Sequence, residues 1–143
     1  MKIYVGSDHA GFELREQVVN YLKENNYDVV SCLMNEYDKE DFYTDAAFDV
    51  CEKVEKDNDS KGILICGTGI GMSIAANRNR NIRAALCHST YEAELTRLHN
   101  DANVLCMGAR VLDFELAKEI VNKFLTTDFS NEERHVNRIA RLK

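Results

Sequence analysis

Apolar residues along the 143-residue chain fall into short continuous runs, separated by longer stretches with helical spacing. Residues 2–7 read as a short apolar strand. In residues 13–24, Leu14, Val18, Tyr21 and Leu22 recur every three or four positions, the period of an amphipathic helix. Residues 27–33 carry Val29 and Val30 and predict a second strand. Residues 45–56 predict a helix with Ala46, Ala47, Val50 and Val54 facing inward. Residues 62–66 are apolar throughout and run into glycines, as in a strand buried on both faces. A helix is expected to begin between Gly69 and Gly71 and to continue to about residue 79. Residues 82–87 predict the fourth strand. Ser89 and Thr90 can cap a helix over 91–99, with Tyr91, Leu95 and Leu98 on one face. The fifth strand is expected at 103–107. Asp113 can cap a helix through 125, with Ala117, Ile120, Val121, Phe124 and Leu125 as its core stripe. Ser130 is expected to cap a last helix that runs to the C-terminus.

Strands and helices thus alternate. Alternation at this spacing requires parallel crossovers, and it predicts a three-layer α/β/α sandwich around a five-stranded, Rossmann-like parallel sheet. No linker, repeat or low-complexity run interrupts the pattern, and proline is absent, so residues 1–143 are expected to form a single domain. Hydrophobic residues make up 45% and charged residues 29%, ordinary values for a globular protein. No apolar stretch reaches the roughly 18 residues of a membrane helix. The N-terminal apolar segment is too short for a secretory signal, so a cytoplasmic location is expected. The five cysteines are odd in number, widely spaced and without a Cys-x-x-Cys pair, which argues against a disulfide framework or a structural zinc site. Most of them are expected to be buried and reduced. The net charge of −6 disfavours general nucleic-acid binding. One strip opposes this trend: from Arg134 to Lys143 there are four cationic residues and no acid, an arrangement suited to a specific anion.

Ligands of such sheets bind beyond the carboxyl ends of the strands, and chemistry-bearing residues gather there. The first strand ends in Gly6-Ser7-Asp8-His9-Ala10-Gly11, an acid beside an imidazole, although Asp8 could simply cap the next helix with His9 in solvent. The third strand ends in Cys66-Gly67-Thr68-Gly69-Ile70-Gly71-Met72-Ser73. Its three glycines let the backbone turn tightly and present N–H groups, to which the next helix adds its positive end. This makes an anion cradle with Cys66 at its mouth, at a position where thiols are often reactive. The plain alternative is a tight turn over a buried cysteine. Nucleotide loops fit poorly: positions 72 and 74 are Met72 and Ile74, where a dinucleotide fingerprint needs glycine, and no Gly-Lys-Ser/Thr follows for a P-loop. His99-Asn100-Asp101 precedes the fifth strand, where it could merely end a helix, and Gly108-Ala109-Arg110 follows that strand. Arg134, Arg138 and Arg141 share one face of the last helix, and Val136, Ile139 and Ala140 another. The arginine face is either solvated or a fork for a phosphate. Together these groups are expected to converge on one sheet edge.

At these residues the chain resembles the ribose-5-phosphate isomerase B and galactose-6-phosphate isomerase family. The resemblance spans nearly the whole chain. It is carried by Gly6-Ser7-Asp8-His9-Ala10-Gly11, Cys66-Gly67-Thr68-Gly69-Ile70-Gly71, His99-Asn100-Asp101-Ala102-Asn103, Gly108-Ala109-Arg110, Arg134-His135 and Arg138. It implies an aldose–ketose isomerase of the pentose phosphate pathway that acts on ribose 5-phosphate and ribulose 5-phosphate. Cys66 would be the base that moves a proton between C1 and C2. His99, with Thr68, would open the furanose ring, and Asp8 would bind the sugar oxygens. Amides around Gly67, Gly69 and Gly71 would stabilise the enediolate, as an oxyanion hole does. His9, Arg110, Arg134 and Arg138 would hold the phosphate, and Asn100 the sugar. The resemblance also implies no metal and no cofactor, and an active site shared across a homodimer, with tetramers as a further possibility. One stretch departs: many members have Asp-Tyr-Pro where this chain has Asp41-Phe42-Tyr43. Three rival readings stand beside this one: an isomerase of galactose 6-phosphate or allose 6-phosphate, a non-catalytic phosphate- or nucleotide-binding module, and a metal site built from Asp8, His9 and His99.

Overall fold

A computed structural model of the chain describes residues 1–32 and 38–142. The order of elements is β1 (Lys2–Ser7), α1 (Phe12–Glu24), β2 (Asp28–Ser31), α2 (Tyr43–Glu55), β3 (Lys61–Cys66), α3 (Ile70–Ala76), β4 (Ala84–Leu86), α4 (Thr90–Asn100), β5 (Val104–Gly108), α5 (Phe114–Thr126) and α6 (Glu133–Ile139), with a closing 3₁₀ turn at Ala140–Leu142. The five strands pair in parallel in the order β2-β1-β3-β5-β4. β3 is central, and its run Gly62 to Cys66 is buried throughout, as a strand covered on both faces must be.

Period-2 alternation divides the strand side chains between two cores. Ile3, Val5, Ile63, Ile65, Leu105 and Met107 pack under α1, α4 and α5. Leu64, Cys66, Val104 and Cys106 pack under α2 and α3. The layers are therefore α/β/α, as the alternation predicted. α5 buries the expected stripe of Ala117, Ile120, Val121, Phe124 and Leu125, and Asp113 caps it by accepting from the Leu116 N–H at 2.9 Å. Ser89 caps α4 likewise, accepting from the Glu92 N–H. Phe124 is fully buried. Phe124→Ala is expected to lower stability by about 3–5 kcal/mol, through lost transfer energy and a residual cavity. Urea unfolding followed by circular dichroism reads this as a lower midpoint at an unchanged slope.

Several boundaries and faces differ from the expectation. The second strand ends at Ser31 rather than 33, and Leu33 lies outside the described residues, as does Lys143 at the end of the basic strip. The fourth strand is only Ala84–Leu86, because it is an edge strand paired with β5 alone. α3 stops at Ala76, and Asn77 then closes the turn by exchanging two hydrogen bonds with Ala84. α4 does not bury Tyr91, Leu95 and Leu98: Ala93, Thr96 and Arg97 face the core and Tyr91 is exposed. The reason is Arg97, whose guanidinium donates to the carbonyls of Thr127 and Ala102 and to Asp101. An arginine hydrogen-bonded in this way can be buried, but it reads as polar in a pattern. Ser130 does not cap the last helix. Its hydroxyl donates to the Leu98 carbonyl at 2.7 Å, and α6 begins later, at Glu133.

Candidate active site

The chain crosses from one side of β1 to the other between β2 and β3, so the carboxyl ends of β1 and β3 open a crevice at a topological switch point. α1 enters this crevice closely. A Cβ on Gly11 would lie 2.4 Å from the Ile65 carbonyl oxygen, so only glycine lets the helix approach β3 there. Asp8 is buried and accepts from the Gly11 N–H at 3.1 Å, which fixes its carboxylate at the crevice floor. His9 is not a solvated side chain: its backbone N–H donates to Asp41 Oδ1 at 3.1 Å, and its Nδ1 lies 2.9 Å from the same oxygen. Asp41 belongs to the stretch that departs from the family pattern. Sequence reasoning missed its role because the partners are 32 residues apart.

Cys66 ends β3 and is 5% exposed. The Gly69 N–H donates to its sulfur at 3.2 Å, so a peptide dipole faces the thiol. Gly69 takes φ 80°, a left-handed conformation, and a Cβ there would meet Leu86 at 2.5 Å and the Met107 backbone at 2.8 Å. Thr68 is exposed at the lip of the turn, its Oγ1 accepting from the Ile70 N–H. Arg110 lies across Gly67: a Cβ on this glycine would be 2.9 Å from Arg110 Nη1. Gly71 is covered instead by the Tyr43 ring, whose nearest atom would be 2.7 Å from a Cβ. His88, at the end of β4, accepts from the Gly108 N–H at 3.2 Å through Nε2. Tyr43 and His88 thus border the site, and neither was singled out by spacing.

The other cysteines differ from Cys66 in setting. All five are buried free thiols. Burial pushes Cys32 up to about 11 and Cys51 and Cys87 up to about 12, and it raises Cys106 well above the ordinary value. Thiols held protonated in this way are structural rather than reactive.

One expectation is corrected. His99, Asn100, Arg134 and Arg138 do not reach the edge that carries Cys66. α4 starts at the carboxyl end of β4 and runs back along the sheet for 11 residues, about 16 Å. Its last turn comes to rest beside the start of β4, where Arg83 Nε donates to the Asn100 carbonyl at 2.9 Å. Within the motif His99-Asn100-Asp101-Ala102-Asn103 the work divides. Asp101, in a left-handed C-cap, holds Arg97 and Arg83, and Asn103 pairs with Arg83 and Asn81, so both build the turn. α6 packs against this same end through a His99–His135 ring stack, and it leaves Arg134 and Arg138 exposed. Val136 and Ala140, on the other face of the helix, are exposed as well. The two groups of candidate residues therefore lie at opposite ends of the sheet within one chain. The metal triad of Asp8, His9 and His99 fails for the same reason, although Asp8, His9 and Asp41 offer ligand atoms within 4.8 Å of one another.

A parallel α/β sandwich with a thiol in an amide-lined turn, an acid–imidazole pair and an arginine at one sheet edge defines a class: an enzyme built to work on a phosphorylated small molecule. The comparisons with known proteins agree. The Ribose/Galactose Isomerase family model matches residues 3–142, and the chain belongs to this family of sugar-phosphate isomerases. The structure of ribose 5-phosphate isomerase B from Anaplasma phagocytophilum superposes with a TM-score of 0.94 at 46% identity, covering 99% of this chain and 96% of that one. The Mycoplasma genitalium ribose-5-phosphate isomerase B with bound ribulose-5-phosphate has the same TM-score at 40% identity, over 99% and 93% of the two chains. D-erythrulose-4-phosphate isomerase of Pectobacterium atrosepticum is 38% identical over 90% of this chain and 85% of its own length. No helix among the described residues is long and apolar enough to cross a membrane.

Proposed function

We propose that the chain interconverts D-ribose 5-phosphate and D-ribulose 5-phosphate, within the pentose phosphate pathway, in a homodimer whose two active sites each take residues from both subunits. The observation that carries this reading is the Cys66 sulfur facing the Gly69 N–H beside Asp8 and His9. The proton alpha to a carbonyl is weakly acidic, so its removal needs a base together with stabilisation of the oxyanion that forms. Cys66 is the base. It takes the proton from C2 of the aldose and returns it to C1, the hydroxyl proton passes from O2 to O1 as the carbonyl moves, and the amides around Gly67, Gly69 and Gly71 hold the enediolate between the two carbon transfers. Ring opening comes first: the C1–O4 bond breaks, O4 gains a proton from His99, and the C1 hydroxyl gives its proton to water to leave the aldehyde. Thr68 assists at the lip, and Asp8 and Asn100 hold the sugar oxygens.

The phosphate is held by His9 and Arg110 of one chain and by Arg134 and Arg138 of its partner. The Arg110 guanidinium makes no hydrogen bond or ion pair among the described residues, which suits a residue kept for a ligand anion. The dimer is supported by the separation of Cys66 from His99 in one chain, and by α6, which buries only His135 and leaves Val136 45% exposed. Binding energy from the remote phosphate positions the reacting carbons. Five buried free thiols suit a reducing compartment, and the cytoplasm completes the reading.

The test is conversion of ribose 5-phosphate to ribulose 5-phosphate by the purified protein with EDTA present. Turnover under chelation is the expected result. Turnover only of allose 6-phosphate or galactose 6-phosphate would replace the pentose, turnover that needs added metal would point to Asp8, His9 and Asp41 as ligands, and binding without turnover would leave a non-catalytic module.

A further inference from the structure

His135 is the single buried residue of α6. Its side chain is 4% exposed, and its Nε2 is buried with no hydrogen-bond partner among the described residues, the nearest carboxylate oxygen being Glu132 Oε2 at 3.8 Å. A buried polar atom left unpaired is costly, so the position serves something other than hydrogen bonding. What His135 does contact is the His99 ring, with centroids 4.3 Å apart and planes inclined by 19°. Stacked rings at about this separation attract. His99 sits on the last turn of α4 and is only half-buried.

We infer that His135 is a positioning residue, whose ring backs the His99 imidazole and holds it in the one orientation from which it can serve the sugar ring. The inference rests on the ring-opening role proposed for His99. Burial, together with the positive charges of His99, Arg134 and Arg138, lowers the His135 pKa against the opposing pull of Glu132, so the backing ring is uncharged at neutral pH and does not repel a proton on His99. A side chain on a half-exposed helical turn otherwise samples several rotamers. The stack removes that freedom before substrate arrives, and preorganisation of this kind is what a proton-transfer group needs. Because the stack lies between α4 and α6 of one chain, it accompanies His99 wherever that residue acts.

The test compares His135→Gln, which removes the ring, with His135→Phe, which keeps a stacking face without the nitrogens. Two reactions are followed on each. Isomerisation of ribose 5-phosphate begins from the closed furanose and needs ring opening. Exchange of the C1 hydrogen of ribulose 5-phosphate with solvent deuterium needs the Cys66 base but not ring opening, because this ketose 5-phosphate is acyclic. For His135→Gln, kcat on ribose 5-phosphate is expected to fall at least tenfold, with KM and C1 exchange within about twofold of wild type. His135→Phe is expected to recover most of the isomerisation. A parallel loss of both reactions with a raised KM would overturn the inference, since it would mean that His135 merely fastens α6 and its arginines. Equal loss in both variants, or no loss in either, would overturn it too. A wild type inactive in both reactions would instead refute the substrate reading. The positioning claim is then decided by NMR relaxation of the His99 imidazole carbons, which should be rigid in wild type and His135→Phe and mobile in His135→Gln; equal rigidity in all three would overturn it.

Discussion

Cys66→Ala is expected to lower ribose 5-phosphate isomerisation by about 10³-fold or more, the upper part of the range for loss of a general base. The substitution removes the only group in the turn able to take a carbon-bound proton. Thr68 cannot take over that role, because its hydroxyl points to the Ile70 N–H at the lip. The anion cradle itself is made of backbone and should persist. Cys66 lies among Leu64, Met72, Val104 and Cys106, where an alanine fits with the loss of one sulfur atom. The Gly69 N–H loses its acceptor, which costs on the order of 1 kcal/mol. The variant should therefore fold and should bind ribose 5-phosphate and inorganic phosphate with little change by calorimetry. Turnover that survives Cys66→Ala would remove Cys66 as the base. Loss of both binding and folding would show that the side chain is structural.

The second large effect is a gain rather than a loss. If each site takes Cys66 from one chain and His99 from the other, Cys66→Ala and His99→Gln homodimers are each inactive for different reasons. Mixing the two and allowing subunits to exchange creates heterodimers with one intact site and one site that lacks both groups. Random pairing makes half of the dimers mixed, so activity should rise from near zero to about a quarter of the wild-type value. A site completed within one chain would gain nothing on mixing. The expectation follows from the course of α4, which carries His99 from the carboxyl edge of the sheet to the start of β4, away from Cys66. No side-chain rearrangement spans a helix of that length. The same mixing with Arg138→Ala in place of His99→Gln assigns the phosphate arginines to their chain.

Much of the architecture was legible in the sequence. The apolar run 62–66 could only be a doubly covered strand, and β3 is the sheet's centre. The stripe of α5 and the caps Asp113 and Ser89 were read correctly because each depends on residues three or four apart. The glycine turn after β3 was legible for the same local reason: its left-handed Gly69 and its amides are set by the turn's own residues. Local signals failed where a distant partner decided the outcome. Arg97 is buried on α4 because the Thr127 carbonyl is there to receive it. Ser130 abandons its expected cap for the carbonyl of Leu98, 32 positions away. Asp41 was set aside with the loop that departs from the family pattern at Phe42 and Tyr43, yet it is the residue that fastens His9.

The chain's pattern of apolar runs and turn residues settles the element order, the parallel sheet and the contents of each strand end, because periodicity, capping and glycine conformations are short-range properties. That same element order already divides the strand-end groups from the helix-end groups, a division the expectation of one shared edge passed over. Whether a loop follows a strand or precedes one decides which end of the sheet it occupies, and His99-Asn100 precedes β5 while Gly108-Ala109-Arg110 follows it. What only the tertiary structure decided is the place of α6: its packing on the last turn of α4 sets Arg134 and Arg138 at the end of the sheet that carries His99 and Asn100, and brings His135 face to face with His99.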